Sequence, residues 1–423
     1  MVFSICKNLQ SLQKFAFVGE ELTYSGIIGL IQKPLKVLKI RNPCHLTKFS
    51  LKLLAHHFPD LIELKLYWFG KFLINNPWNF EFHLDREMQR IDNLVENGLP
   101  RLVSLDLSAF YQTVDDKSVQ NLAYQHLSSN SPSQNHLQEI YLPHCYHLTD
   151  AGIQWLIGSC HSTQIRILDF SNTNLTGNCF LRKMPFLYHL KLDGCANLKG
   201  SGLANIAASC PALNGLSLSM NKQLNDEDFI LAFKSGLKNL KEFHANYVNI
   251  NGSCFQHCQF FHTIKKLSLH SCAKLSDKYG FQDFLSKTKY LAYLDVSATG
   301  LKSLNVSLKS VKRLFLDFCS FTPDAILNRE KDFPCLRLLS IFGSSNIHFE
   351  HQQSGLMTKV VKSLGTESEN QLREFASKRG IKLTNWAVTR SSMVKGLPFM
   401  LSQIHLTSLA DRENWNKSLL TMA

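Results

Sequence analysis

The sequence predicts an α/β solenoid in which short parallel strands line the inner side and helices line the outer side. Two observations lead to this fold class. A leucine pattern recurs through most of the 423 residues, and each copy alternates as a strand does before it passes into helical spacing. The composition agrees, because 44% hydrophobic and 19% charged residues supply a core and exclude long-range disorder.

The repeat unit is a leucine ladder that ends in a polar turn, L-x-x-L-x-L-x-x-C/N-x-x-L-[TSN]-D, followed by an amphipathic stretch. Thirteen starts define twelve intervals, whose mean of about 27 residues falls in the range of leucine-rich repeats. Such repeats stack into a horseshoe-shaped solenoid. The starts are Leu12, Leu35, Leu61, Leu102, Leu137, Ile165, Leu187, Leu213, Leu240, Ile264, Leu291, Val311 and Leu336.

Each position of the repeat has a predicted role, counted as an offset from the first leucine. Offsets 3 and 5 point into the core, and offsets 2, 4 and 6 face solvent from the concave side of the sheet. Offset 8 lies where the chain turns away from the strand, so that an Asn amide can bond to backbone groups and a Cys can replace it as a small, weakly polar filler. The cysteines at this turn are Cys145, Cys195, Cys272 and Cys319.

The start of the outer helix also has a signal. Asp150, Asp226 and Asp277 stand at offset 13, where the carboxylate or the preceding Thr, Asn or Ser is expected to cap a helix. Apolar residues between Asp150 and Cys160 follow i, i+3, i+4 spacing, which predicts a helix there.

The repeats predict two regions. Residues 1–349 form the solenoid, with an insertion near 68–98 that lengthens the interval between Leu61 and Leu102 well beyond the mean. This insertion is either a recognition loop or a local aromatic core. Residues 350–423, where the periodicity fades, form a C-terminal cap or tail.

Charge and cysteine content set the expected partners and compartment. Lys and Arg number 46 against 33 Asp and Glu, yet no run of five basic residues occurs, so we predict no nucleic-acid partner. No stretch approaches the roughly 18 apolar residues of a membrane span, so we predict no membrane partner. The N-terminus does not resemble a secretory signal, and the twelve cysteines then favour a reduced compartment, the cytoplasm or nucleus.

Catalytic and metal-binding patterns are absent from the sequence. It contains no nucleophile elbow, phosphate loop, dinucleotide fingerprint or H-E-x-x-H pattern, so we predict no enzyme activity, no catalytic residue and no cofactor. Cys254, His257, Cys258 and His262 fall within nine residues, but structural zinc sites usually take two separated ligand pairs. We therefore predict that this cluster packs and holds no metal.

The predicted concave face is the candidate partner site. From Leu102 onward, its acids outnumber Lys plus Arg by seven to three, although the whole chain is basic. Either Asp at offset 4 is a common strand filler, or the acidic and aromatic face binds a basic peptide, in which case reversing the charges of Asp169, Asp193 and Asp295 abolishes binding. The candidate residues are Tyr67, Asp106, Tyr141, Asp169, Asp193, His244, His270, Tyr293, Asp295 and Phe315.

The repeats resemble the cysteine-containing subclass of leucine-rich repeats, found in F-box proteins and in F-box-less relatives similar to the yeast mitotic-exit antagonist. The resemblance implies a substrate receptor that holds a target protein on its horseshoe, while a preceding F-box docks the adaptor of a cullin-based ubiquitin ligase. Only eleven residues precede Leu12, too few for an F-box, so the ligase-docking part is expected to be missing or to lie upstream of Met1. The alternative is a free-standing adaptor or scaffold without ligase linkage.

Overall fold

The computed structural model describes residues 9–18, 24–31, 33–41, 48–67, 101–127, 136–158, 164–320, 330–340 and 382–384, together with Leu22, Leu46 and Leu99. They belong to one of the two compact units of the chain, which comprises residues 1–68 and 85–384. The second unit, residues 69–84 and 385–423, lies outside the described residues.

The described residues form one parallel sheet of 14 strands in sequence order. Strands β1 to β13 each begin two residues after a predicted repeat start, so the predicted ladder is confirmed repeat by repeat. Strands β1 to β3 have five residues and the others three. The bounds are Lys14–Val18, Val37–Arg41, Glu63–Tyr67, Ser104–Asp106, Glu139–Tyr141, Ile167–Asp169, His189–Lys191, Gly215–Ser217, Glu242–His244, Lys266–Ser268, Tyr293–Asp295, Arg313–Phe315, Leu338–Ser340 and Lys382–Thr384.

Helices follow the strands in most repeats. Among the described residues, the α-helices are α1 (Tyr24–Ile28), α2 (Lys48–His57), α3 (Asp116–Leu127), α4 (Asp150–Gly158), α5 (Gly200–Ser209), α6 (Asp226–Ser235) and α7 (Phe281–Lys287). Helix α4 confirms the helix predicted after Asp150. Shorter 3₁₀ helices occupy Ser108–Phe110, Ser253–His257, Phe260–His262 and Glu330–Asp332.

In the later repeats, the outer side becomes less helical as the repeat becomes shorter. The repeats that start at Leu137, Leu187, Leu213 and Ile264 are close to the mean length, and each has an α-helix of two to three turns. The repeat between Leu240 and Ile264 is shorter and makes only 3₁₀ turns. The shortest fully described repeats, which start at Ile165 and Leu291, contain no helix. The repeat from Leu12 to Leu35 is also short and still forms the five-residue helix α1, so length alone does not determine whether a helix forms.

The core is the leucine ladder packed against the helices. Leu187, Leu190 and Leu192 are fully buried at offsets 0, 3 and 5 of one repeat, as predicted. They share a continuous apolar cluster with Leu203 and Ile206 of α5. Burying each such side chain contributes about 1.5–3 kcal/mol.

Phenylalanine replaces leucine where the helices give way to 3₁₀ turns. Phe233 of α6 packs against Phe243 of β9 and Phe260 of the second turn, with ring centroids 6.1 and 5.3 Å apart. Phe255 packs against Phe284 of α7 at 5.0 Å. The larger rings fill the layer that a full helix would otherwise occupy.

The predicted domain boundary at residue 349 does not mark the end of the sheet. Strand β14 falls inside the segment predicted as cap or tail, and it pairs in parallel with β13. The rest of 350–423 and the predicted insertion at 68–98 lie outside the described residues.

Candidate functional site: the helix-free face of the sheet

The side chains at offsets 2, 4 and 6 lie on the face of the sheet opposite the helices, which we call the helix-free face. Strand register aligns offsets 2 and 4 into two rows, and offset 6 continues the alignment just beyond the three-residue strands. All ten candidate residues belong to these rows. Tyr293 is at offset 2; Asp106, Tyr141, Asp169, His244, Asp295 and Phe315 are at offset 4; Tyr67, Asp193 and His270 are at offset 6.

The register brings six of the ten candidates into two groups. Asp106, Tyr141 and Asp169 are direct neighbours on β4, β5 and β6. Burial raises the pKa of the Tyr141 hydroxyl, and the nearby acids raise it further. In the second group, Asp295 is the register partner of Phe315, whose ring centroid lies 5.2 Å from that of Tyr293. Tyr67, Asp193 and His244 belong to neither group by register, whereas His270 lies beside the second group, with its Nδ1 4.0 Å from Asp295 Oδ1.

Half of the candidates offer little surface to a partner. The buried ones are Asp106, Asp169, His244, His270 and Asp295, with 4–9% exposure. Tyr67, Tyr141, Asp193, Tyr293 and Phe315 are half-buried.

Four aspartates of this face accept hydrogen bonds from the backbone of the turns: Asp106, Asp169, Asp193 and Asp295. The Asp169 carboxylate accepts from the backbone N–H of Ser171 at 3.1 Å. The Asp193 carboxylate accepts from the Ser217 hydroxyl at 2.6 Å and from the Ser219 N–H at 2.7 Å, both in the next repeat. Burial raises the pKa of Asp193, and these two hydrogen bonds oppose that increase.

The same bonding continues along the sheet as a polar ladder. Asn246 accepts from the Ser268 hydroxyl at 2.7 Å and from the His270 N–H at 2.9 Å. Asp317 accepts from the Ser340 hydroxyl, again in the next repeat. We define the polar ladder as Asp106, Asp169, Ser171, Asp193, Ser219, Asn246, Asp295, Ser297 and Asp317.

This ladder changes the meaning of the charge-reversal test. Asp169, Asp193 and Asp295 each accept a backbone N–H. Replacing them by basic residues would remove those bonds and leave buried donors unsatisfied, at about 1–3 kcal/mol each. Loss of binding by that triple variant therefore reports on the fold as well as on a partner.

Two histidines add buried titratable groups to the face. Burial lowers the pKa of His189 to about 4; Glu242 opposes this decrease, and Lys191, Lys266 and His244 contribute to it. Burial also lowers the pKa of His270, whose Nδ1 lies 4.0 Å from Asp295 Oδ1. Both rings are therefore neutral near pH 7.

A row of left-handed residues borders the face at offset 7, and the sequence pattern did not predict it. Seven of their backbone N–H groups donate to the offset-6 carbonyl of the next repeat at 2.6–2.8 Å, which adds one rung beyond the strands. Only the Gly and Asn members favour this conformation. The row is His144, Asn172, Gly194, Met220, Tyr247, Ser271, Ala298 and Phe318, with φ between 54° and 67°.

The offset-8 residues bond the turns as predicted. The Asn221 amide donates to the carbonyl of Leu192 at 2.8 Å, which is offset 5 of the preceding repeat. The Cys195 and Cys272 thiols donate to the equivalent carbonyls of Phe170 and Ala245 at 3.2 and 3.0 Å. Burial raises the pKa of Cys195 to about 11 and that of Cys272 to about 12, so both thiols keep the proton that they donate.

At α6, the structure decides between the two capping candidates that the sequence offered. Asn225 caps α6 as expected, accepting from the N–H groups of Glu227 and Asp228. Asp226 instead reaches the next repeat, where its carboxylate accepts from the N–H groups of Asn251, Gly252 and Cys254 at 2.6, 3.1 and 3.1 Å. The acids that bond the next repeat in this way, called the inter-repeat acids, are Asp116, Asp150, Asp226 and Asp277.

The cysteine and histidine cluster at residues 254–262 is divided between core and surface. Cys254 and Cys258 are buried among the phenylalanines, whereas His257 and His262 are exposed. Burial raises the pKa of both thiols well above its usual range. Within the described ranges, no three His, Cys, Asp or Glu side chains converge as metal ligands.

The chain was compared with known proteins. No protein family profile matches it, and no curated protein does. Three leucine-rich-repeat proteins of known structure are similar to it, and these similarities concern the fold alone. The first is a chain of the Rad7 and Elc1 complex in yeast, with 18% identity and a TM-score of 0.34 over 80% of this chain and 77% of that one. The second is human 5T4, also called Wnt-activated inhibitory factor 1 or trophoblast glycoprotein, with 20% identity and a TM-score of 0.33 over 43% of this chain and 70% of that one. The third is an internalin, inlF, of Listeria monocytogenes, with 13% identity and a TM-score of 0.44 over 91% of this chain and 93% of that one.

Within the part of the chain that the structure describes, no helix is long and apolar enough to cross a membrane.

Proposed function

We propose that this chain is a protein-recognition module without catalytic residues of its own, and that it is the substrate-binding repeat region of an F-box-type ubiquitin ligase receptor. The observation that carries the recognition role is the continuous helix-free face, on which all ten candidate residues lie in three aligned rows. A rigid solenoid presents such a surface without reorganisation, which lowers the entropy lost on binding.

The ligase assignment rests on the cysteine-type turn. Cys195, Cys272 and Cys319 donate to the offset-5 carbonyl of the preceding repeat, as Asn221 does. This shared role supports the resemblance to the cysteine-containing repeats of F-box proteins. The proposal places the chain in the cytoplasm or nucleus, a reduced compartment in which these thiols stay free.

The partner-contacting residues are proposed to be the half-buried members of the face. Tyr293 and Phe315 present two rings 5.2 Å apart, and aromatic side chains are frequent hot spots of protein interfaces. The buried acids act on partner binding indirectly, because they hold the strand ends in place.

Affinity purification of the native protein from proteasome-inhibited cells, with the tag added at the genomic locus so that any segment upstream of Met1 is retained, tests the proposal. We expect a target protein to co-purify, and the ligase assignment requires the F-box adaptor and cullin to co-purify with it. The double variant Tyr293→Ser/Phe315→Ser should lose the target. The matched control is Tyr279→Ser/Tyr290→Ser, which alters two exposed tyrosines outside the three rows and should retain it.

The outcomes test the recognition role and the ligase assignment separately. A target that co-purifies without adaptor or cullin would favour the free-standing scaffold over the ligase receptor. Equal target recovery by wild type and both double variants would contradict a role for the two rings. No specific protein in any purification would contradict the recognition role itself.

A further inference from the structure

We propose that the first three strands of the helix-free face bind an Asp/Glu-rich segment of a partner protein. This inference rests on the proposed function and deepens it, because it assigns a partner chemistry to one part of the face. The basic patch is the set Lys14, Lys39, Arg41 and Lys65.

Charge divides this end of the face in two. The nine positions of β1 to β3 on this face include the four residues of the basic patch and a single acid, Glu63. The nine positions of the next three repeats, β4 to β6, include three acids, Asp106, Glu139 and Asp169, and no basic residue. A net charge of three positive units therefore borders a net charge of three negative units.

Two members of the basic patch, Lys39 and Lys65, are close together and share a single acid. Lys39 and Lys65 are direct register partners, and adjacent strands lie about 4.8 Å apart. Both ammonium groups share the Glu63 carboxylate, at 3.0 and 2.8 Å. One carboxylate between two ammonium groups leaves positive charge for a ligand anion.

The central acid is firmly ionised. Burial by itself would raise the pKa of Glu63, but the ion pairs and hydrogen bonds from Lys65 and Lys39 lower it below its usual value. The Lys39 and Lys65 side chains remain 38% and 20% exposed. Incoming carboxylates therefore meet ammonium groups that are held in place and still accessible.

The neighbouring acids favour a short acidic protein segment over a nucleic acid. Three strands span about 10–15 Å, whereas specific protein–DNA interfaces bury about 1,000–2,500 Å² of protein surface. A polyanion that continued past β3 would face Asp106 and Glu139. Lys65 lies at the boundary between the basic and the acidic positions, since its Nζ is 5.3 Å from the ring centroid of Tyr141 on β5.

Fluorescence anisotropy with the full chain tests the inference. The probe is a labelled Asp/Glu/Ser peptide of about twelve residues at low ionic strength, where exposed charges act most strongly. The triple variant Lys14→Gln/Lys39→Gln/Lys65→Gln should weaken binding by about tenfold or more. The control Lys234→Gln/Lys238→Gln/Lys274→Gln removes the same charge from exposed positions outside the face and should change affinity less than about twofold.

Glu63→Gln gives a test that loss of folding cannot imitate. It removes the single acid of the patch and releases both ammonium groups for the ligand, so binding should tighten by about threefold or more. Lys39→Arg/Lys65→Arg keeps the charge and should keep the affinity. Unchanged or weaker binding by Glu63→Gln would contradict the inference.

The remaining outcomes distinguish the inference from attraction to net charge and from nucleic-acid binding. Equal loss in both triple variants would show attraction to net charge alone, and tighter binding of a single-stranded oligonucleotide of equal charge would assign the patch to nucleic acid. Either result overturns the inference. A co-purified target whose binding ignores the Lys14/Lys39/Lys65 triple variant refutes it and leaves the proposed function standing. If the chain binds the acidic peptide but no cellular partner is found, the result supports the inference and contradicts the proposed function.

Discussion

In the first three repeats, the charged side chains of the helix-free face pair with one another while remaining accessible to solvent, as Lys39, Glu63 and Lys65 do. From β4 onward, carboxylates on the same face, such as Asp169 and Asp193, instead accept backbone N–H groups of the turns. The later repeats also keep an accessible ion pair on this face, Glu242 with Lys266 at 2.6 Å. The aspartates of the later repeats are nevertheless structural, whereas the acid of the first three repeats pairs with lysines. Exposure and bonding, which vary between repeats, decide which role an acid has.

The largest effect is expected when a buried acid of the later repeats is removed. Asp226→Ala deletes three hydrogen bonds to backbone N–H groups of the next repeat. We expect the free energy of unfolding to fall by about 3–5 kcal/mol, because the donors lose a charged acceptor. Urea denaturation measures this. Glu227→Ala, its exposed neighbour, should cost less than about 0.5 kcal/mol, and equal losses would contradict the distinction between buried and exposed acids.

The buried histidine of β7 should make the later repeats sensitive to acid. Because burial lowers the pKa of His189 to about 4, the unfolded chain binds the proton first, near its ordinary value of about 6.5. The contribution of the neutral His189 ring to the free energy of unfolding is therefore fully present above about pH 6.5. It is lost as the pH falls towards 4, which lowers the free energy of unfolding by about 3 kcal/mol. The measurement is urea unfolding as a function of pH.

The control separates His189 from other acid effects. His189→Gln should flatten this part of the pH profile, whereas His147→Gln, at an exposed position, should leave the profile unchanged. A profile that is the same in wild type and His189→Gln would refute the assignment.

A smaller, stabilising effect is expected at the left-handed row of the later repeats. Met220 has a φ of 65° and is 38% exposed, and Gly194 already holds the same offset one repeat earlier. Met220→Gly should raise the melting temperature, with a gain of about 0.5–1 kcal/mol, because glycine adopts this conformation without steric cost. Lys222→Gly, at an exposed position outside the row, should lower stability; a loss in both variants would argue against strain at Met220.

The smallest effect is expected in the first repeats. Lys39→Gln removes one ion pair to Glu63, whose other partner Lys65 remains at 2.8 Å. Exposed ion pairs contribute little, so the free energy of unfolding should change by no more than about 0.5 kcal/mol. A loss comparable with that of Asp226→Ala would remove the contrast between the two regions.

The sequence located the fold with good accuracy because the leucine ladder leaves few alternatives. A one-residue shift of a strand would turn its core leucines to solvent, and this fixes offset 2 as the start of β1 to β13. It also placed the ten candidate residues on one face, since alternation alone determines which side a strand residue takes. Their binding of a partner remains a prediction.

The bonding within that face was beyond the sequence pattern. Asp169 and Glu63 look equivalent as acids on strands, and only the packed neighbours show that one accepts a turn N–H while the other pairs with two lysines. The left-handed row had no common residue type to reveal it, because a shared backbone hydrogen bond imposes that conformation whatever the side chain. The sequence left open whether Asp226 or Asn225 caps α6, and the structure decides for Asn225, because the partners of Asp226 lie about one repeat further along the chain.

By itself, the sequence determined the stacking and the sides of the strands, because the period and the alternation of the leucine ladder leave few alternatives. Tertiary structure decided which charged groups stay accessible and which become part of the scaffold. That decision depends on hydrogen bonds between residues about one repeat apart. Such bonds form only when neighbouring repeats are stacked and their buried donors need acceptors.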